Sequence, residues 1–187
     1  MATYINYLDD TICSDYQMYT TGTYGGCIYT MPANAKTVTS VAFVCRKNGT
    51  GDANIKLEIH ANNKDGTKLA EVTSWSNSGN YIRTFTLSSA LNVTGGNSYF
   101  FGVYYNGVTF PNYYAIETNY TSPLLGIYYN NSNGDKYVSN ENPQIGIFGD
   151  LYTGPANVKL CDGLAQASLK SNNGLAFSSA KNINGLA

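Results

Sequence analysis

Charge is scarce in this chain of 187 residues: 11 Lys and Arg stand against 12 Asp and Glu, with one histidine. With so few cations and no basic stripe, nothing here neutralises a phosphate backbone, which argues against nucleic acid as a partner. No apolar run approaches the roughly 18 residues of a membrane span, so no membrane-embedded segment is expected. The first residues, Met1-Ala-Thr-Tyr-Ile-Asn-Tyr7, carry neither the basic nor the apolar region of a secretory leader, and the chain is expected to start in water without a signal peptide. Cysteine is sparse as well. Cys13, Cys27, Cys45 and Cys161 follow neither CxxC nor zinc-finger spacing, so no metal centre and no cofactor is expected. Free, mostly buried thiols are the favoured state, with Cys13 and Cys27 the one pair worth testing for a bridge.

The common catalytic signatures are missing too. Nucleophile-elbow, phosphate-loop and zincin patterns do not occur, and a triad would depend on the sole histidine, His60. His60 alternates with Lys56 and Glu58, where a solvated side chain is a better reading than a general base. Two carboxylates suffice for glycoside hydrolysis, but the acids here are scattered mainly through turns, which solubility alone explains. Asx-rich loops at 48–52, 62–65 and 130–135 hold oxygen ligands without EF-hand spacing, and turn chemistry accounts for them without calcium. Four Asn-x-Ser/Thr sequons, at Asn48, Asn92, Asn119 and Asn130, are a by-product of a composition this rich in Asn and Thr.

What the chain does have is 17 Tyr and 19 Gly among abundant Asn, Thr and Ser, the make-up of a β-rich protein with many tight turns. From residue 27 onward, short apolar runs alternate with turn clusters. In Ala53–Ala61, Ile55, Leu57 and Ile59 alternate with Lys56, Glu58 and His60, so one face is apolar and the other wet. Val41, Phe43 and Cys45 repeat the pattern in 38–46, and the loop 47–52 suggests that these two strands pair antiparallel. Further strands are expected at 26–31, 67–73, 81–87, 99–105, 113–117, 124–129 and 144–152. The run 99–105 is apolar enough for a central strand covered on both faces, with Gly102 marking a bulge or a close backbone approach. The expectation is an all-β fold, an antiparallel jelly-roll β-sandwich of about 8–9 strands over residues 1–154 with an extended C-terminal arm at 155–187.

The order Ile28-Tyr-Thr-Met-Pro32, Thr37-Val-Thr-Ser-Val-Ala-Phe-Val44, Asn54-Ile-Lys-Leu-Glu-Ile-His60, Lys68-Leu-Ala70, then Leu91-Asn-Val-Thr-Gly-Gly-Asn-Ser-Tyr-Phe-Phe101 resembles the jelly-roll sandwiches of bacterial surface and phage virion proteins. In layout it is also similar to carbohydrate-binding modules with galactose-binding-like folds. That resemblance spans about residues 26–105 and implies a fold more than a ligand.

Tyrosine doublets at Tyr104-Tyr105, Tyr113-Tyr114 and Tyr128-Tyr129 lie near strand ends, so alternation turns one member of each pair outward. Three readings stay open for them: one ring in the core with its neighbour on the sheet surface, an anchor for a protein interface, or a stacking platform for a glycan.

The C-terminal segment repeats itself three times. Ala156-Asn-Val-Lys159-Leu-Cys-Asp162-Gly163-Leu164-Ala165 is followed by a copy holding Lys170, Asn173-Gly174 and Leu175-Ala176, and by a third with Lys181, Asn184-Gly185 and Leu186-Ala187. The period is 11 residues, and Asx-Gly in every copy breaks a helix, so each copy reads as an extended segment closed by a bend. The copies either fold into a small meander or stay as an arm. With three to five small apolar side chains each, they cannot offset about 1–2 kcal/mol per residue of ordering entropy, so a partner surface is needed. The motif resembles the Lys-x-x-Asn-Gly-Leu-Ala repeats of phage structural and fibre proteins. This resemblance implies a non-enzymatic protein of a virion surface, a capsid decoration or a head or tail fibre component, attached to other virion proteins or to itself through these repeats. The alternative is a glycan-binding module of an adhesin or secreted glycosidase.

Overall fold

The computed structural model describes residues 1–8, 15–18, 22–48, 54–75, 79–106, 113–120, 123–131 and 134–152, and the backbone of 160–161, 164–165, 171–172 and 175–176. The elements described are all strands. They are β1 (Ala2–Asn6), β2 (Asp15–Met18), β3 (Tyr24–Thr30), β4 (Ala35–Asn48), β5 (Asn54–Ala61), β6 (Lys68–Trp75), β7 (Gly79–Asn92), β8 (Ser98–Asn106), β9 (Tyr113–Asn119), β10 (Ile127–Asn131), β11 (Gly134–Val138), β12 (Asn142–Pro143) and β13 (Ile145–Leu151). Four two-residue strands follow: β14 (Leu160–Cys161), β15 (Leu164–Ala165), β16 (Ser171–Asn172) and β17 (Leu175–Ala176).

Two antiparallel sheets form the body. One has seven strands along the path β1-β13-β4-β9-β12, with β2 on β9 and β7 on β4. The other has six in the order β11-β10-β3-β8-β5-β6. β7 lies along one edge of β4 from Thr37 to Lys47, while β13 and then β9 take the opposite edge in turn. The sheets face each other across one core. Val41, Phe43, Phe85, Ile116 and Ile147 come from the first, and Cys27, Ile55, Leu57, Phe101 and Tyr105 from the second. The fold is therefore a β-sandwich.

Alternation explains which side chains enter that core, and a bulge explains the exception. Val38 and Val41 are both fully buried although three residues apart. Ser40 pairs with Phe148 and Val38 with the next residue, Gly149, so Thr39 is extra to the ladder and shifts the alternation by one. On the six-stranded sheet the expected alternation holds throughout β5, with Ile55, Leu57 and Ile59 inward and Lys56, Glu58 and His60 outward.

The structure corrects one expected pairing. β4 and β5 are not partners; both edges of β4 are occupied, and β5 pairs with β6 and β8 in the other sheet. Among the described residues the body also has thirteen strands, against the nine or so expected. β1, β2, β11 and β12 lie outside the expected set, because they are short or, like Gly134-Asp-Lys-Tyr-Val138, polar and exposed without alternation. β8 does sit centrally, between β3 and β5, and Gly102 marks a close approach rather than a bulge. Cys27 and Cys45 are free, fully enclosed thiols, and burial pushes both up to about 12. Cys13 lies outside the described residues.

Phe43 is wholly enclosed between the sheets, so Phe43→Ala should cost about 3–5 kcal/mol in urea unfolding. Ile82→Ala, at a position 56% exposed, should stay within about 0.5 kcal/mol of the parent.

Candidate functional site

The chemistry-bearing side chains converge on the outer face of the six-stranded sheet. Its central row begins with Tyr137 and Tyr128, directly paired across β11 and β10, crosses Gly26 and Gly102, paired across β3 and β8, and ends with Glu58 on β5 and its partner Glu71 on β6. The two glycines let the strands and rings close up. A Cβ on Gly26 would lie 2.1 Å from the Phe101 carbonyl oxygen, and one on Gly102 would lie 2.3 Å from the Phe100 ring. The Phe100 ring therefore packs against Gly102 and is fully buried although it points away from the main core. Tyr24, His60 and Tyr128 surround it edge-on, with ring centroids at 6.0, 6.1 and 6.4 Å. Tyr104 stacks against His60 at 6.1 Å and leans on Tyr24 at 5.3 Å. The result is a second, aromatic core on the outside of the sheet.

Beside it runs a polar network. Glu58 is met by Lys56 at 2.7 Å, His60 Nε2 at 2.8 Å and Lys68 at 3.5 Å, and Glu71 by Lys56 at 3.3 Å and Lys68 at 2.5 Å. His60 Nδ1 donates to the Gly66 carbonyl at 3.0 Å. His60 thus faces outward as expected but is not solvated: it is 8% exposed, and Glu58 is 7% exposed. Burial works against the Glu58 carboxylate, yet hydrogen bonds from Lys56 and His60 outweigh it and hold the group below the usual range. The hydrogen bond from Lys68 does the same for Glu71. Carboxylates held ionised and saturated by lysines are poorly suited to donate protons as general acids.

A third group caps the face from the other side. Lys64, in the turn between β5 and β6, reaches Asp65 and Asp135 at 2.7 Å each, and Asn130 Nδ2 donates to the second Asp135 oxygen at 2.5 Å. The Lys64 ammonium lies 5.8 Å from the centroid of the Tyr24 ring. Burial pushes the Tyr24 phenol up to about 12, despite Lys64. Two of the Asx-rich loops are thereby tied to each other, and Asn63 Oδ1 accepts from the Asp65 backbone N–H in an Asx turn.

Of the tyrosines singled out from the sequence, Tyr104 and Tyr128 lie on this outer face. Tyr105 is fully buried in the main core, and Tyr129 turns inward against Tyr16, with centroids 4.4 Å apart. Tyr113 and Tyr114 belong to β9 by their backbone, but their side chains lie outside the described residues. The structure adds Tyr137, Tyr24 and Phe100. Tyr24 and Phe100 were hidden because an apolar residue on the outer face of a strand looks like core in a sequence. Tyr137 sits in a strand too polar to recognise.

Glu117 is the most deeply buried acid among the described residues. Glu117 is 0% exposed, with Arg46 Nε 3.7 Å away, and burial raises its carboxyl above the usual range against the pull of Arg46. Around it, Thr118 Oγ1 donates to Glu141 at 2.6 Å, Asn119 Nδ2 to the Tyr7 carbonyl at 2.7 Å, and Asn142 Oδ1 accepts from the Leu125 N–H. These bonds pin β12, the N-terminal strand and the 123–125 segment together. Buried in them, Asn119 is no glycosylation acceptor in the native fold.

In the C-terminal repeats, Leu164 and Leu175 occupy β15 and β17. Leu160 pairs with Ala165 and Cys161 with Leu164; one period later, Ser171 pairs with Ala176 and Asn172 with Leu175. The first two copies each pair within themselves, across a gap of two residues whose sequence is Asp-Gly or Asn-Gly, the dipeptides most favoured for two-residue hairpins; the third copy lies outside the described residues. Lys159, Gly163, Lys170, Gly174, Lys181, Gly185 and Leu186 lie outside the described residues.

No family model and no curated protein matches the chain.

Because the Glu117 carboxyl is raised in the fold, the native state holds its proton more tightly than the unfolded chain, and this site disfavours folding increasingly as pH climbs from about 4.3. Glu117→Gln should therefore gain stability relative to the parent as pH rises from 4 to 8, seen in paired urea melts. A gap between the two proteins that narrows with pH would contradict this.

Proposed function

We propose that this chain is a non-enzymatic structural protein displayed on the surface of a bacteriophage particle, as a capsid decoration or a head or tail fibre component, held there or oligomerised through its C-terminal repeats. The observation that carries this reading is the recurrence of one hairpin register in successive 11-residue copies. A unit repeated in sequence and in pairing serves attachment better than catalysis, and hairpins with two-residue strands are too small to stand alone in water. The segment 156–187 carries three lysines and one aspartate, so a partner surface with acceptor groups suits it. The body needs no help from the tail, since its core is closed between the two large sheets. Its ionised, lysine-bound Glu58 and Glu71 and its lone histidine locked in hydrogen bonds fit a protein that performs no reaction. The partners are other virion proteins or further copies of the chain, not nucleic acid or membrane.

A second reading, a glycan-binding module, is favoured by the aromatic layer on the outer face, where Tyr137 is 51% exposed beside Tyr128.

Truncation after Pro155 should leave a folded, monomeric sandwich that no longer enters particles or oligomers, as read by light scattering and particle incorporation. If the truncated protein assembles like the full chain, the tail is not the attachment device.

A further inference from the structure

Among the described residues, the aromatic layer opens to solvent at the outer face of the β10–β11 hairpin. Tyr137 packs against Tyr128 at 4.4 Å between ring centroids with the rings tilted by 35°, and Tyr128 is backed edge-on by the fully buried Phe100. The hydroxyl end of Tyr137 rests on Gly126, whose φ is +76; a Cβ there would come within 2.4 Å of the phenolic oxygen. The ring is thus held from beneath by two aromatic layers and a glycine that only a missing side chain permits, while half of its surface faces water.

Polar groups stand beside it on the same face. Asn130 pairs with Asp135 as Tyr128 pairs with Tyr137, two residues further along the hairpin, about 7 Å away at the rise of a strand. One Asp135 oxygen accepts from Asn130 and the other from Lys64, with the Tyr24 phenol a third partner of the carboxylate, which as a four-site acceptor keeps room for a ligand hydroxyl; Lys64 is bonded to Asp65 and Asp135. The hydrogen bond from Lys64, then that from Asn130, holds the Asp135 carboxyl below its usual range, so it accepts hydrogen bonds at any ordinary pH.

We propose that this surface binds a neutral saccharide, stacked on Tyr137 and hydrogen-bonded at its rim by Asp135, Asn130 and Lys64. The proposal rests on the glycan-binding reading above and gives it a location. A flat apolar face with acceptors and a donor one sugar width away matches a pyranose, which presents an apolar C–H face and a rim of hydroxyls. Two carboxylates against one ammonium disfavour an anionic ligand. One open ring beside a half-covered one is far below the roughly 800 Å² per partner of a stable protein interface, which decides against a protein occupant.

The test is a glycan array of neutral hexose and N-acetylhexosamine oligosaccharides probed with the full chain, with hits titrated calorimetrically against Tyr137→Ala, Tyr137→Phe and Asp135→Ala. Expected is a loss of about tenfold or more for Tyr137→Ala, near-parent binding for Tyr137→Phe, which keeps the stacking face, and a clear loss for Asp135→Ala. Asp135→Ala leaves the ring stack intact and decides the matter if Tyr137→Ala fails to fold. A saccharide that binds the parent and the folded variants equally overturns the location while leaving the glycan reading standing; no binding by any neutral saccharide overturns both.

Discussion

A strand has two edges, and β4 spends both. β7 runs the length of one, while β13 and β9 divide the other. Once those backbone groups are paired, β5 cannot lie beside β4 although it follows it in the chain, and it finds its partners in β6 and β8 of the other sheet. The inward residues of β4 and β5 then meet across the core rather than side by side, and the polar side of β5 becomes an outer surface. The aromatic layer and the lysine–carboxylate network lie on that surface.

The sequence made the inner face plain. Alternation in β5, the run in β8 and the triplet Val41, Phe43 and Cys45 all lie where period-two reasoning puts them, because burial on one face leaves an unambiguous pattern. What it concealed was partnership and the outer face. Which strand lies beside β4 depends on edges that strands distant in the chain occupy. The run 99–105 announced a strand covered on both faces, and Phe100 is indeed fully buried while pointing away from the main core, but nothing local says that the cover on that side is Tyr24, His60 and Tyr128. His60 and Glu58 were placed on the correct face, but their burial comes from the turn at Gly66 and from β6, which alternation does not report.

The outer aromatic layer changes what the polar groups do. In water the pairs among Lys56, Glu58, Lys68 and Glu71 would contribute little each. Here Glu58 is nearly enclosed by rings on one side and by lysine stems on the other, so its charges are organised as one network joining β5 to β6. The same turn carries Lys64 across to Asp135, tying the β5–β6 end of the sheet to the β10–β11 end over the top of β3 and β8. The sheet is braced across its width as well as along its ladders, and that bracing keeps the exposed face of Tyr137 at a fixed height.

The self-contained hairpins of the tail have a different kind of consequence. Since pairing closes inside each of the two described 11-residue units, a duplication or loss of one leaves the pairing of the other as it was. The number of units is then a free variable, adjustable by unequal recombination in whole steps.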